Sequence, residues 1–214
     1  GIGAGWMASD YEESGIPYDR AGVRVDRLEE ALEVLKGLWS DGPLTHEGTH
    51  YRITAHDGTP TPIQRPHPPI LIGGGGPRVL SIAAREADIV GINPNMKAGV
   101  MSSGAADATA EAVDRKVAIV REAAGDRFNQ LELHVMSFGV MVTDDRAGGT
   151  EMLAGVLGLT PEDLHASPYT LIGNPQEIAD DLRSYRERWG ISYFSVMADT
   201  MEAFAPVVAE LAGT

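Results

Sequence analysis

A run of glycines is the part of this sequence best suited to bind an anion. Its members are Gly73, Gly74, Gly75 and Gly76. Glycines leave no side chain between the backbone N–H groups and a ligand, and a helix that starts at Pro77 adds a partial positive charge. Arg78 is a nearby cation. The pattern predicts a phosphate-binding turn, and the alternative is that the glycines only make a tight turn.

The segment His46-Glu47-Gly48-Thr49-His50 matches the H-E-x-x-H motif of zinc hydrolases. That motif binds zinc on a helix, where both imidazoles lie on one face. Gly48 and Thr49 are poor helix formers, and residues 44–53 alternate around a Glu-Gly turn. The segment therefore predicts a β-hairpin that separates the two histidines, and the sequence predicts no metal site.

His134 is a second candidate for chemistry, because it lies in a predicted strand over residues 131–142. It either faces a ligand at the end of the strand or is a hydrogen-bonded core histidine. The sequence shows no partner for it, which favours the core interpretation.

Apolar and alternating segments predict five strands separated by helices. The strand ends lie near Ile2, Ile72, Val90, Val140 and Val196. Helices are expected over residues 20–39, from Pro77, and over 109–124, 147–164, 176–189 and 201–211, whereas residues 7–18 are expected to form a loop. This alternation predicts a parallel α/β sheet covered by helices, either doubly wound or closed as a barrel. Neither a Rossmann fingerprint nor a P-loop is present.

Composition narrows the functional classes. The 214 residues are 43% hydrophobic and carry a formal net charge of -14, which argues against a broad nucleic-acid-binding face. The sequence contains no cysteine, so disulfides and thiolate chemistry are excluded. No apolar run reaches the roughly 20 residues that span a bilayer. We expect a cytoplasmic protein that acts on a small molecule, without nucleic-acid or membrane partners.

The first six residues, Gly1-Ile2-Gly3-Ala4-Gly5-Trp6, read as the end of a strand followed by a loop. No strand residues precede them and there is no initiator methionine. We expect that an N-terminal portion is missing, and a processed or engineered start is the alternative.

Several motifs, in this order along the chain, resemble the luciferase-like monooxygenase family and in particular its actinobacterial coenzyme F420-dependent oxidoreductases. They are residues 1–6, Asp10-Tyr11-Glu12, the helix segment 27–32, the hairpin ending in His50-Tyr51, the strand 68–74, Ala87-Asp88, and residues 172–175. Each motif alone is weak. Together they cover essentially the whole chain, and their order is fairly specific.

The resemblance implies a (β/α)8 TIM barrel, of which this chain would hold only strands 4 to 8 with their helices. We expect residues 1–214 to form a single, partial barrel domain with a hairpin insertion near residues 44–53. An open sheet exposes edges and half of a barrel core. The chain is therefore expected to need a complementing N-terminal segment, or to pair as a homodimer.

The resemblance also assigns a cofactor site. Gly73, Gly74, Gly75 and Gly76 with Arg78 match the stretch that holds the cofactor phosphate, and Lys97 would add to a basic rim. Gly5, Trp6 and Ser9 match the end of strand four, which lines the cofactor ring. Trp6 stands where some F420 enzymes carry a catalytic glutamate. An indole cannot act as an acid, so no catalytic residue is assigned.

The function implied by the resemblance is hydride transfer between coenzyme F420 and an unknown small organic substrate. One alternative is an FMN-dependent luciferase-like monooxygenase with the same fold. Another is a non-catalytic flavin-binding fragment.

Overall fold

The computed structural model describes residues 1–96, 99, 104 and 106–213 of the chain. Helices and strands alternate along it. The helices are α1 (Ala8–Ser14), α2 (Ala21–Leu38), α3 (Pro77–Glu86), α4 (Ala110–Ala124), α5 (Arg146–Leu157), α6 (Pro161–His165), α7 (Pro175–Trp189) and α8 (Met201–Leu211). The strands are β1 (Leu44–Glu47), β2 (Arg52–His56), β3 (Leu71–Gly74), β4 (Ile89–Ile92), β5 (Glu132–Ser137), β6 (Gly139–Val142), β7 (Thr170–Gly173) and β8 (Ile191–Val196).

A four-stranded parallel sheet, in the order β3-β4-β5-β8, is the centre of the fold. Ile2 adds an isolated parallel bridge to Ile72 beside β3. The predicted α/β class with a parallel sheet is therefore confirmed. Because all four strands run in one direction, their carboxyl ends lie at one edge of the sheet, where α/β proteins place their ligands.

The two faces of this sheet differ. Leu133 and Val135 of β5 belong to a core cluster that also includes residues of α3, α4 and α7. Side chains alternate along a strand, so His134 lies on the opposite face. We call that face the inner face. It also carries Gly73, Gly91 and Tyr193, because Gly73 pairs with Gly91, Gly91 pairs with His134, and His134 pairs with Tyr193 on neighbouring strands.

A second, two-stranded parallel sheet pairs β6 with β7. The single strand predicted over residues 131–142 is wrong in this respect, because it divides at Phe138. The N–H groups of Phe138 and Gly139 both donate to the carbonyl of Tyr169. The chain pairs with β8 before Phe138 and with β7 after it. The sequence analysis did not predict β7, which has only four residues.

The helices bury the predicted apolar stripes. Val25, Leu28 and Leu32 of α2 are buried, and so are Val113 and Val117 of α4. The apolar spacing of α2 predicts one buried stripe of Val25, Leu28, Leu32, Leu35 and Leu38. In the structure Leu35 and Leu38 are only half-buried, and Val34 is buried.

Two predicted segments are corrected. Residues 7–18, expected as a loop, contain the short helix α1. The helix expected over residues 147–164 is two helices, because Gly158 adopts a left-handed conformation with φ of 68° and ends α5. Thr160 then caps α6 through the N–H of Asp163. The hairpin predicted near residues 44–53 is confirmed as β1 and β2.

Among the described residues, no helix combines the length and the apolarity that crossing a membrane requires. That residues 1–214 form one domain stays a prediction.

The N-terminus of α7 gives a test of the fold. The Asn174 side chain accepts from the N–H groups of Gln176 and Glu177, each at 3.0 Å, and Glu177 Oε2 accepts from the Asn174 N–H at 2.9 Å. We expect Asn174→Ala to lower the free energy of unfolding by about 1–2 kcal/mol, because the first-turn N–H groups lose their acceptor. Urea denaturation measures the change. Asn174→Asp keeps the acceptor and should unfold close to wild type; equal midpoints for the alanine variant and wild type would contradict the prediction.

Candidate functional site

The predicted anion-binding turn lies at the carboxyl end of β3. Gly73 and Gly74 are the last two residues of the strand, and Gly76 precedes the first residue of α3. Among the described residues, no side-chain hydrogen bond caps this helix at Gly76. The first N–H groups of a helix have no partner inside the helix, so those of α3 are oriented toward the space in front of Gly76.

Packing explains why three of the four positions are glycine. A Cβ atom on Gly75 would lie 2.6 Å from the carbonyl oxygen of Asn93 and from the nitrogen of Asn95. On Gly74 it would lie 2.5 Å from Cγ1 of Val79, and on Gly73 it would lie 2.9 Å from Nδ2 of Asn93. The tight-turn interpretation is therefore sufficient for these three residues.

Gly76 is different from the other three. Among the described residues, a Cβ atom there would meet only Asn95 Nδ2, at an ordinary distance of 3.7 Å. Its φ of -87° and ψ of 147° suit any residue, so neither packing nor conformation requires glycine at this position. Gly76 is thus where the turn leaves room beside a helix N-terminus.

Arg78 does not supply an isolated positive charge to this turn. Its Nη2 atom lies 2.6 Å from Asp26 Oδ1 and 3.2 Å from Glu29 Oε2, both on α2. The hydrogen bond to Asp26 raises the pKa of the Arg78 guanidinium. Two carboxylates therefore balance the charge of Arg78, and its predicted contact with a cofactor phosphate stays a prediction. Lys97, the other expected basic residue, lies outside the described residues.

The residues predicted to line the cofactor ring lie in the segment after Ile2. The Gly5 carbonyl accepts from Arg24 Nε at 3.3 Å, and the Trp6 carbonyl accepts from the Tyr18 hydroxyl at 2.8 Å. Ser9 is exposed on α1. The Ala8 N–H donates to the Gly99 carbonyl at 3.3 Å, which connects this segment to the loop after β4.

His134 has a hydrogen-bond partner that the sequence analysis missed. Its Nε2 atom lies 2.9 Å from Ser195 Oγ on β8, and its ring meets Tyr193 edge-on with centroids 4.6 Å apart. Its Nδ1 atom is buried and has no hydrogen-bond partner among the described residues. Burial lowers the pKa of His134 below its ordinary value, so the imidazole is neutral at pH 7.

The H-E-x-x-H segment forms a hairpin rather than a helix. His46 lies on β1 and its Nε2 atom is 3.2 Å from Glu30 Oε1 on α2. Glu30 also accepts from the N–H groups of Thr49, His50 and Tyr51 at 2.7–3.1 Å. Within the part of the chain that the structure describes, no group of three or more His, Cys, Asp or Glu side chains is arranged to hold a metal ion.

The chain is similar in sequence to known proteins. Residues 1–192 match the sequence profile of the family described as "Luciferase-like monooxygenase". The FMNH(2)-dependent dimethylsulfone monooxygenase of Pseudomonas putida is 32% identical over 97 residues, which are 45% of this chain and 27% of that enzyme. The F420-dependent glucose-6-phosphate dehydrogenase of Kineococcus radiotolerans is 35% identical over 88 residues, 41% of this chain and 25% of that enzyme.

The fold has similar solved structures. An F420-dependent secondary alcohol dehydrogenase in complex with an F420-acetone adduct superposes with a TM-score of 0.73 at 17% identity. The superposition covers 98% of this chain and 67% of that one. The predicted TIM barrel is confirmed on this basis, with the present chain corresponding to part of the barrel. The matched regions of the two sequence relatives above span only about a quarter of each enzyme.

The Glu30 contacts predict how stability depends on pH. Burial raises the pKa of Glu30, but the hydrogen bonds from His50, Tyr51, His46 and Thr49 outweigh it and lower the pKa from 4.5 to about 2. The ionised carboxylate is therefore favoured in the folded state. Its contribution to stability is present above pH 4.5 and is lost as the pH falls toward 2.

We expect Glu30→Gln to lower the melting temperature at pH 7, and we expect the difference from wild type to shrink as the pH falls from 4.5 toward 2. Thermal unfolding followed by circular dichroism across this range measures the effect. Glu47→Gln on the same hairpin is the matched control, because Glu47 pairs only with the exposed Arg52 and should contribute little. A difference between Glu30→Gln and wild type that is constant with pH would contradict the prediction.

Proposed function

The chain belongs to the luciferase-like monooxygenase family, and we propose that it supplies the phosphate-binding side of an oxidoreductase that uses coenzyme F420. FMN is the alternative cofactor. The observation that carries the proposal is the uncapped N-terminus of α3 behind Gly76, at the carboxyl edge of the parallel sheet.

The turn fits a phosphate in its donors. The cap residue's side chain caps α4, α5, α6 and α7, whereas α1, α2 and α8 lack a side-chain cap, as α3 does. At α3 the position of the cap is Gly76, which offers no acceptor. A phosphate oxygen in this position would accept from the first-turn N–H groups and would interact favourably with the helix dipole.

The turn needs no side-chain cation in order to bind a phosphate. The chain is acidic overall, and Arg78 is balanced by Asp26 and Glu29. Backbone N–H groups bind an anion without any side-chain cation. The proposal therefore assigns phosphate binding to Gly75, Gly76 and the start of α3, and it gives Arg78 only a long-range contribution.

The remaining assignments concern the cofactor ring. We assign Gly5, Trp6 and Ser9 to the segment beside the ring, which the Ala8–Gly99 contact holds near the loop after β4. When bound, the cofactor supplies hydride transfer, and the protein orients it and excludes water. Trp6 carries no transferable proton, so no catalytic residue of this chain is assigned.

FMN is the alternative cofactor because FMN and F420 both carry a phosphate on a ribityl chain. A turn that binds through backbone donors recognises the phosphate and not the ring. The named relatives include an FMNH(2)-dependent monooxygenase and an F420-dependent dehydrogenase. Residues outside this turn must therefore distinguish the ring of FMN from that of F420. The proposed substrate is a small organic molecule, and its identity depends on the loops.

The inner face supports a proposal about assembly. Met136 and Tyr193 on this face are 46% and 40% exposed, and Met197 just beyond β8 is 49% exposed. The interior of a TIM barrel is filled by packed side chains. We propose that an N-terminal barrel segment covers this face, and a second copy of the chain is the alternative. We also propose that residues 1–214 belong to a single domain.

The phosphate assignment is tested by comparing Gly76→Asp with Gly76→Asn. Either side chain can cap α3, so both variants should fold with at least wild-type stability. Because the aspartate repels a phosphate and competes for the same N–H groups, we expect it to weaken binding of FMN and F420 at least about tenfold more than asparagine does. Isothermal titration of each cofactor measures the affinities and also establishes which cofactor binds more tightly.

Riboflavin and the phosphate-free deazariboflavin are the control ligands, and their affinities should be equal in the two variants. Equal affinities of both variants for FMN and F420 would refute the phosphate turn. The titrations use the chain completed by the N-terminal barrel segment proposed above, and failure of that protein to bind either cofactor would refute both enzyme assignments.

A further inference from the structure

A buried ion pair lies behind the glycine turn. Lys116 on α4 has a side chain only 5% exposed, and its Nζ atom lies 2.7 Å from Asp107 Oδ2. The same ammonium group donates to the Asp107 carbonyl at 2.8 Å. Burial lowers the pKa of Lys116, and the hydrogen bond and charge of Asp107 oppose that shift. Burying an ion pair costs desolvation free energy, and apolar residues in its place are often at least as stabilising. We therefore ask which neighbouring groups this pair holds in position.

The Asp107 carboxylate has a second partner, and that partner is next to the turn. Asp107 Oδ2 accepts from the Asn95 N–H at 2.8 Å. Asn95 ends the three-residue segment 93–95, whose backbone packs on Gly75. At the other end of this segment, the Asn93 N–H donates to the Gly74 carbonyl at 3.0 Å. The segment is therefore held at one end by β3 and at the other by Asp107.

Asp107 is itself fixed to the core. The carbonyl of the next residue, Ala108, accepts from the buried Ser167 hydroxyl at 2.6 Å. Lys116 Nζ lies 5.9 Å from the ring centroid of Tyr169, which is fully buried. Together these contacts anchor the Asp107 carboxylate to α4 and to the segment before β7.

We propose that Asp107 is a positioning residue of the phosphate turn: held by Lys116, it fixes segment 93–95 against Gly75 and sets the Asn95 side-chain amide beside Gly76. The Asn95 Nδ2 atom is 3.7 Å from the position of a Cβ on Gly76, so it faces the space proposed for the phosphate. Asn95 then adds a side-chain donor to the backbone donors. This inference rests on the proposed function, because it takes the turn to bind the cofactor phosphate.

The test compares ligands with and without a phosphate. We expect Asp107→Ala to weaken FMN and F420 binding about tenfold, which corresponds to losing one hydrogen bond to a charged group, while riboflavin and the phosphate-free deazariboflavin change by less than about twofold. A purely structural defect would weaken all four ligands alike. Asp107→Asn keeps an oxygen that can accept from the Asn95 N–H and should recover most of the affinity.

Two further variants strengthen the test. Lys116→Met leaves the carboxylate without its anchor and should weaken the phosphate-bearing ligands in the same selective way. Asp114→Asn is the matched control, because Asp114 also lies on α4 and pairs with Arg188, but it has no contact with segment 93–95 in the described part of the chain. It should leave all four affinities unchanged.

A measurement without cofactor completes the design. In NMR spectra, inorganic phosphate should shift the amide signals of Gly75 and Gly76 in the wild type and in Asp114→Asn, and much less in Asp107→Ala. If the wild type shows no preference for phosphate-bearing ligands, the proposed function and this inference both fail. If the wild type shows the preference and Asp107→Ala retains it, this inference alone fails.

Discussion

The packing of one loop on a glycine is the contact on which the candidate site depends. β3 and β4 are neighbouring parallel strands, and the backbone of residues 93–95 passes over Gly75 with no space for a Cβ atom. Within the sheet, where Gly73 of β3 pairs with Gly91 of β4, a Cβ on Gly91 would lie 3.0 Å from the Cα of Gly73. The backbones can approach this closely because Gly73, Gly75 and Gly91 have no side chains. Their approach brings Asn95 next to the N-terminus of α3.

Much of this arrangement could be predicted from the sequence because its signals are local. The apolar run, the glycines and Pro77 are consecutive, and together they indicate β3, its turn and α3 correctly. Four-residue β7 and seven-residue α1 give too few positions for a period to be recognised. The break between α5 and α6 depends on the left-handed Gly158, and an isolated glycine in a helical pattern does not reveal its conformation.

The contacts of the site were less predictable, because they join residues far apart in the chain. Arg78 and Glu29 are 49 residues apart, and His134 and Ser195 are 61 apart. A single sequence shows that Arg78 is charged, but not that two carboxylates on α2 neutralise it. In the proposed site, the backbone N–H groups bind the anion without a dedicated side-chain cation, which is how an acidic chain could hold a phosphate.

The proposed site separates the recognition of the cofactor phosphate from the chemistry at the cofactor ring. The proposed phosphate donors all lie between β3 and the loop after β4, and the contacts that hold them are made within this chain. The inner face is different, because His134 is neutral there and its neighbours Met136 and Tyr193 are partly exposed. The F420-dependent secondary alcohol dehydrogenase compared above has a third of its length without a counterpart here. Under the proposed function, the groups that bind the phosphate lie in this chain, whereas the walls around the ring depend on what covers the inner face, and the same turn would serve either FMN or F420.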